Sequence, residues 1–200
     1  MLTIPPKPIR DAYNNHQAAT CVLLCRRWLQ EHPDDVSVIF DYAEMLYKMA
    51  RFEEAIAVYD DAIERFPDRR WGIYNQLGHL HRYRGAMSEA EAAYQQAIEI
   101  EPEEAGSYIF LGAVQARQGK LEAAEKTHRL ATKCPEGFID EAYHNLGLVL
   151  RGLGRLAEAK LCFETAIEID NNYEDAIEAL NDVTTAIEIE SGQQHIEPNS

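Results

Sequence analysis

The sequence predicts an all-α solenoid of antiparallel helix pairs, and three observations carry that expectation. The chain resembles itself at a spacing of 33 to 35 residues. Small side chains recur at fixed offsets in each copy, and glycine, alanine or proline falls where a helix pair must reverse or close. With starts at Val36, Trp71, Ala105 and Asp140, the eighth position reads Ala43, Gly78, Gly112 and Gly147. The twentieth reads Ala55, Ala90, Ala124 and Ala159, and the twenty-seventh Ala62, Ala97, Ala131 and Ala166. Alanine makes up about one residue in ten, so eight alanines in eight slots arise by chance roughly once in a hundred million trials.

Each element follows from that frame. Met1 to Pro8 holds three prolines and a lysine but no apolar run of the kind a secretory signal needs, so residues 1–8 are expected as a flexible lead on a chain that is not exported. Residues 9–35 are expected as an N-terminal cap, one helix or two broken near Asn14-Asn15. There Cys21 and Trp28 replace the alanines of a degenerate half-unit. The four units are 36–69, 70–104, 105–139 and 140–172. Within them, helices approach closely where side chains are absent. The fifteenth slot, Ala50, Gly85, Gly119 and Gly154, is where the first helix of each pair reverses. Larger apolar residues fill the fourth and seventh slots, and Tyr59, Tyr94, His128 and Phe163 fill the twenty-fourth. Pro67, Pro102 and Pro135 close three units, and Asn171-Asn172 the fourth. Residues 173–190 read as a C-terminal capping helix, with Ala176, Ala179, Leu180, Val183 and Ile187 on its apolar stripe and acidic residues elsewhere. Residues 191–200 read as a disordered tail.

The pattern from residue 36 to about 172 resembles the tetratricopeptide repeat, a helix-turn-helix unit of about 34 residues with small residues at these offsets. The resemblance implies a right-handed superhelix whose concave groove holds a peptide or partner helix. It implies a non-catalytic protein-interaction adaptor without cofactor. In some members a carboxylate clamp grips the acidic C-terminus of heat-shock chaperones. Placed on this chain, the clamp falls on Phe40, Glu44, Gln76, Gly106 and Phe110, which lack the required charge, so a chaperone tail is disfavoured as partner.

If slots four, seven, eight and eleven of each first helix face its partner, then at 100° per residue slots two, five, six, nine, twelve and thirteen point away. The candidate peptide-binding residues on that face are Phe40, Tyr47, Asn75, His79, Arg82, Tyr83, Ile109, Phe110, Arg117, His144, Asn145, Leu148 and Arg151. The face counts Lys48, Arg82, Arg117 and Arg151 against Asp41, Glu44 and Glu141, so acid is expected to be kept off it although the chain carries a net charge of -15. Near helix ends the same arginines also complement the helix dipole. The alternative to a groove binder is a structural protein that forms a homodimer or stack through exposed aromatics or the N-terminal half-unit.

Other chemistry is disfavoured. The net charge repels nucleic acid and anionic membranes. Charges interrupt every apolar run well short of the roughly 20 residues a membrane span needs, which points to a cytoplasmic protein. Cys21, Cys25, Cys134 and Cys162 sit at apolar-patterned helical positions and are expected as packed thiols. Among the seven histidines, His79 and His144 lie two units apart, too far for one metal, and His128 occupies an aromatic core slot. No glycine-rich phosphate loop, nucleophile elbow or zinc motif occurs, so catalysis and metal binding are not expected.

Overall fold

The computed structural model describes residues 5–192, and these form two compact units that divide after Ile100. The first unit holds six α-helices: α1 (Lys7–Asn14), α2 (Ala18–Glu31), α3 (Val36–Lys48), α4 (Phe52–Arg65), α5 (Arg70–Tyr83) and α6 (Met87–Ile100). A short 3-10 turn, Pro67–Arg69, leads into α5. The second holds α7 (Ala105–Arg117), α8 (Leu121–Ala131), α9 (Ile139–Gly152), α10 (Leu156–Ile169) and α11 (Glu174–Glu190). Among the described residues the chain is all-α, with one isolated bridge between Glu104 and Glu136. None of the described helices is long and apolar enough to cross a membrane.

Inside each unit every helix packs on the next, and α3 also touches α5, α7 touches α9 and α9 touches α11. Within a unit, first helices therefore form one layer and second helices another. The small slots decide how closely they approach. All eight alanines of the twentieth and twenty-seventh slots are fully buried, as is Ala43. A Cβ added to Gly147 would lie 2.5 Å from the Phe163 ring, and one on Gly112 2.5 Å from the His128 ring. The eighth slot thus receives the aromatic ring of the twenty-fourth, which a side chain of ordinary size would expel.

Four identical turns end the first helices. After α3 the Ala50 N–H donates to the Tyr47 carbonyl at 2.9 Å and the Arg51 N–H to Leu46 at 3.0 Å. After α9 the Gly154 and Arg155 N–H groups repeat the pattern on Arg151 and Leu150. This arrangement satisfies orphan carbonyls but requires a left-handed residue. Glycine supplies it in three units; in the first, Ala50 is held at φ 59°. Ala50→Gly is expected to stabilise the chain by about 0.5–1 kcal/mol, because a Cβ is disfavoured at positive φ. Urea unfolding of the two proteins checks this.

The N-terminal cap is two helices broken at His16, itself at φ 56°. One boundary differs from expectation: Lys7 and Pro8, expected in the flexible lead, are helical. Pro8 stands in the first turn of α1, where its missing N–H would have had no intrahelical partner. Ile9 and Ala12 bury that short helix against α2. At the other end the tail expected over 191–200 lies, beyond Gly192, outside the described residues.

Candidate functional site

In each unit the first-helix layer carries the candidate residues, and their environments divide by slot. Slots six, nine, twelve and thirteen hold half-buried or exposed side chains: Phe110 and Asn145 at the sixth, His79 and Leu148 at the ninth, Arg82 and Arg151 at the twelfth, Tyr83 and Arg117 at the thirteenth. Tyr47, also at the twelfth, is buried. The fifth slot behaves differently. Ile109 is 2% exposed and packs with Ala105, Ala131 and Ala142, while Asn75 and His144 are buried too; of the four, Phe40 alone stays half-buried. Ile109 is therefore a core residue and not a groove contact. For Ile109 and His144 the reason is the layer itself: a side chain pointing away from its own partner helix at this slot meets the next first helix of the unit, α9 or α11.

In the first unit the face is aromatic and internally paired. Tyr47 and Tyr83 have ring centroids 5.2 Å apart, and Phe52 lies 6.4 Å from Tyr83, which stays 59% exposed. His79 Nδ1 hydrogen-bonds the Tyr94 hydroxyl at 2.8 Å. Burial, then the nearby Arg82 charge, lowers the His79 pKa to about 4, so this ring is neutral at pH 7. Among the described residues no carboxylate pairs with Arg82, nor, in the second unit, with Arg117. Glu44 accepts from Lys48 at 2.6 Å and from the Tyr13 hydroxyl at 2.7 Å. Burial first, then the charges of Glu44 and Asp35, raise Asp41 to about 6.

In the second unit α11 lies beside α9 and changes the charge of the face. Tyr173, the residue before α11, hydrogen-bonds His144 Nδ1 at 3.1 Å, and Arg151 pairs with Asp182 at 2.8 Å. His144, Leu148 and Arg151 line an open cleft of about 370 Å³ together with Asp175, Glu178, Ala179 and Asp182. Asn145 hydrogen-bonds Glu141, whose pKa burial raises. The expectation that acid is kept off the face is corrected here: three carboxylates of α11 face a single arginine. Sequence reasoning assigned α11 to a solvated cap. Continuing the repeat spacing one step past Asp140 would have placed Asp175, Glu178 and Asp182 at the second, fifth and ninth slots of a fifth first helix.

Helix pairs joined by one recurring turn and locked by small residues define a helical-repeat protein. The chain belongs to the tetratricopeptide repeat family: three models described as tetratricopeptide repeat match residues 35–103, 75–137 and 140–173. It is 31% identical over 128 residues to tetratricopeptide repeat protein 7B of Homo sapiens, an alignment that spans 64% of this chain and 15% of that protein. In structure it resembles a thermophilic tetratricopeptide-repeat protein of Thermus thermophilus, with TM-score 0.65, 21% identity, and coverage of 89% of this chain and 97% of that one. It also resembles the first tetratricopeptide domain of Spaghetti (RPAP3) bound to the HSP90 peptide SRMEEVD, with TM-score 0.56 and 22% identity over 60% of this chain and 94% of that one. The second and third likenesses show the fold. Tetratricopeptide domains in general bind protein partners and are not themselves catalytic.

Proposed function

We propose that this protein is a non-catalytic adaptor that binds a peptide or helical segment of a partner protein on its first-helix faces. The observation that carries the reading is the pairing of an exposed aromatic with an uncompensated cation on adjacent residues: Tyr83, with Arg82 beside it, projects from a layer whose other side is committed to core packing. Aromatic and arginine side chains dominate binding energy at protein interfaces. Half-buried Phe40, Phe110 and Leu148 supply further apolar area. Cytoplasmic residence is part of the proposal; Cys21 and Cys25 are fully buried, where a thiol packs as a small apolar side chain.

The test is affinity capture with the wild-type chain, a Tyr83→Asp/Phe110→Ala variant and a Gln95→Glu control on an exposed second-helix position. Partners retained by wild type and control but lost by the double variant support the reading; partners retained by all three contradict it. A second reading, self-assembly, is favoured by Leu23, which is 64% exposed on α2 in the degenerate half-unit. Sedimentation velocity decides it: a coefficient unchanged over a wide concentration range eliminates self-assembly.

A further inference from the structure

Two helices keep an uncovered side that is partly apolar, and their charges are opposite. α2 packs on α1 and α3, and α11 on α9 and α10. In α11 the repeat spacing puts Ile177 and Leu180 at the fourth and seventh slots, which in the four complete pairs face the second helix of the same pair. Among the described residues α11 has no such helix. Ile177 is accordingly 38% exposed and Leu180 half-buried, whereas Leu77, Leu111 and Leu146 at the seventh slot are buried. Glu174, Glu178 and Asn181 share the exposed face with Ile177. The uncovered side of α2 carries Ala19, Leu23, Arg26, Arg27 and Gln30, all exposed and at helical spacing. Among the described residues no ion pair or side-chain hydrogen bond engages Arg26, Arg27, Glu174 or Glu178. Together α1 and α2 hold Lys7, Arg10, Arg26 and Arg27 against Asp11 and Glu31, a net charge of +2; α11 holds Glu174, Asp175, Glu178, Asp182, Glu188 and Glu190 with no Lys or Arg, a net charge of -6.

We propose that α2 of one copy docks on α11 of another, with Leu23 against Ile177 and Leu180, and Arg26 and Arg27 facing Glu174 and Glu178. The proposal rests on the self-assembly reading above and specifies its surfaces; it uses neither Tyr83 nor Phe110, so segment binding does not depend on it. Covering Leu23 and Ile177 supplies the apolar gain, and charge selects which helices meet. α2 against α2 would set arginine on arginine, and α11 against α11 would set acid on acid; α2 against α11 opposes unlike charges. Each solvent-exposed pair adds little by itself, but arginine and carboxylate match in planar geometry and fix the orientation. The contact joins two different surfaces, so a docked pair still offers one free α2 and one free α11. Copies therefore add in series, as an open chain or a closed ring.

The test is sedimentation velocity of the whole chain over a wide concentration range at low and high salt, alongside two charge-reversed variants, Arg26→Glu/Arg27→Glu and Glu174→Lys/Glu178→Lys. All four positions are exposed helix surface, where substitution leaves the fold in place. Wild type is expected to show a coefficient that rises with concentration at low salt and to lose that rise as salt screens the contact. Each variant alone sets like charges across the contact and is expected to lose the rise. An equimolar mixture of the two is expected to regain it, because native α2 then meets native α11 and the two reversed faces meet each other. A wild-type coefficient that does not change with concentration overturns this proposal together with self-assembly and leaves segment binding standing. A rise that salt leaves unchanged, or that survives in either variant alone, overturns this contact and puts self-association on another face. A rise lost in both variants and absent from their mixture overturns it as well.

Discussion

Replacing His128 with phenylalanine is expected to raise stability at neutral pH and to flatten its decline in acid. His128 is 1% exposed, its Nδ1 has no hydrogen-bond partner among the described residues, and it fills a slot held by tyrosine or phenylalanine in the other three repeats. Phe163 occupies the same position over Gly147 that His128 occupies over Gly112, each ring 2.5 Å from where the glycine's Cβ would be, so the larger ring has a precedent in this fold. Removing an unsatisfied buried nitrogen is worth about 1–3 kcal/mol. Burial lowers the His128 pKa to about 4. Against about 6.5 in the unfolded chain, this means the unfolded state takes up a proton that the folded state refuses, and stability is lost as pH falls from about 6.5 towards 4. His128→Phe removes that contribution, so its advantage should widen by about 2 kcal/mol between pH 7 and 5. Urea titrations at both pH values check the sign and the widening; an advantage that does not grow in acid contradicts the buried neutral imidazole.

Ala90→Leu is expected to act in the opposite direction, lowering stability by about 1–3 kcal/mol. Ala90 is fully buried on α6, the helix that packs against α5, and three added carbons have no room between them. Ala92 stands two residues away on the same helix and is exposed. Leucine there should change stability by no more than about 0.5 kcal/mol, since both substitutions carry the same change in helix propensity and differ only in what the side chain meets. Equal effects at the two positions, read from thermal unfolding, would contradict the packing assigned to the twentieth slot.

The repeat made much of the fold legible. A small residue between two helices is demanded in every copy, so four copies reported the same constraint, and all the alanines singled out on that ground are buried. The left-handed turns were legible for the same reason, even at Ala50, where glycine is missing. The candidate site was harder to read because its geometry comes from contacts between successive pairs, which a pattern within one pair does not encode. Ile109 looked like a groove residue when only its partner helix was considered; α9 turns it into core. Likewise Asp182, taken as a solvated cap residue, reaches Arg151 because α11 takes the place of another first helix.

The claim on which the rest depends, that a missing side chain at the eighth slot admits the aromatic ring of the twenty-fourth, is tested most directly by a double-mutant cycle of Gly147→Ala and Phe163→Leu in urea unfolding. Gly147→Ala alone should destabilise the chain even though alanine is the better helix former by about 1 kcal/mol, because its Cβ would meet the Phe163 ring. With the smaller Phe163→Leu side chain in place, the same alanine should cost markedly less, giving a compensating interaction energy above about 0.5 kcal/mol. Two effects that simply add would contradict the claim.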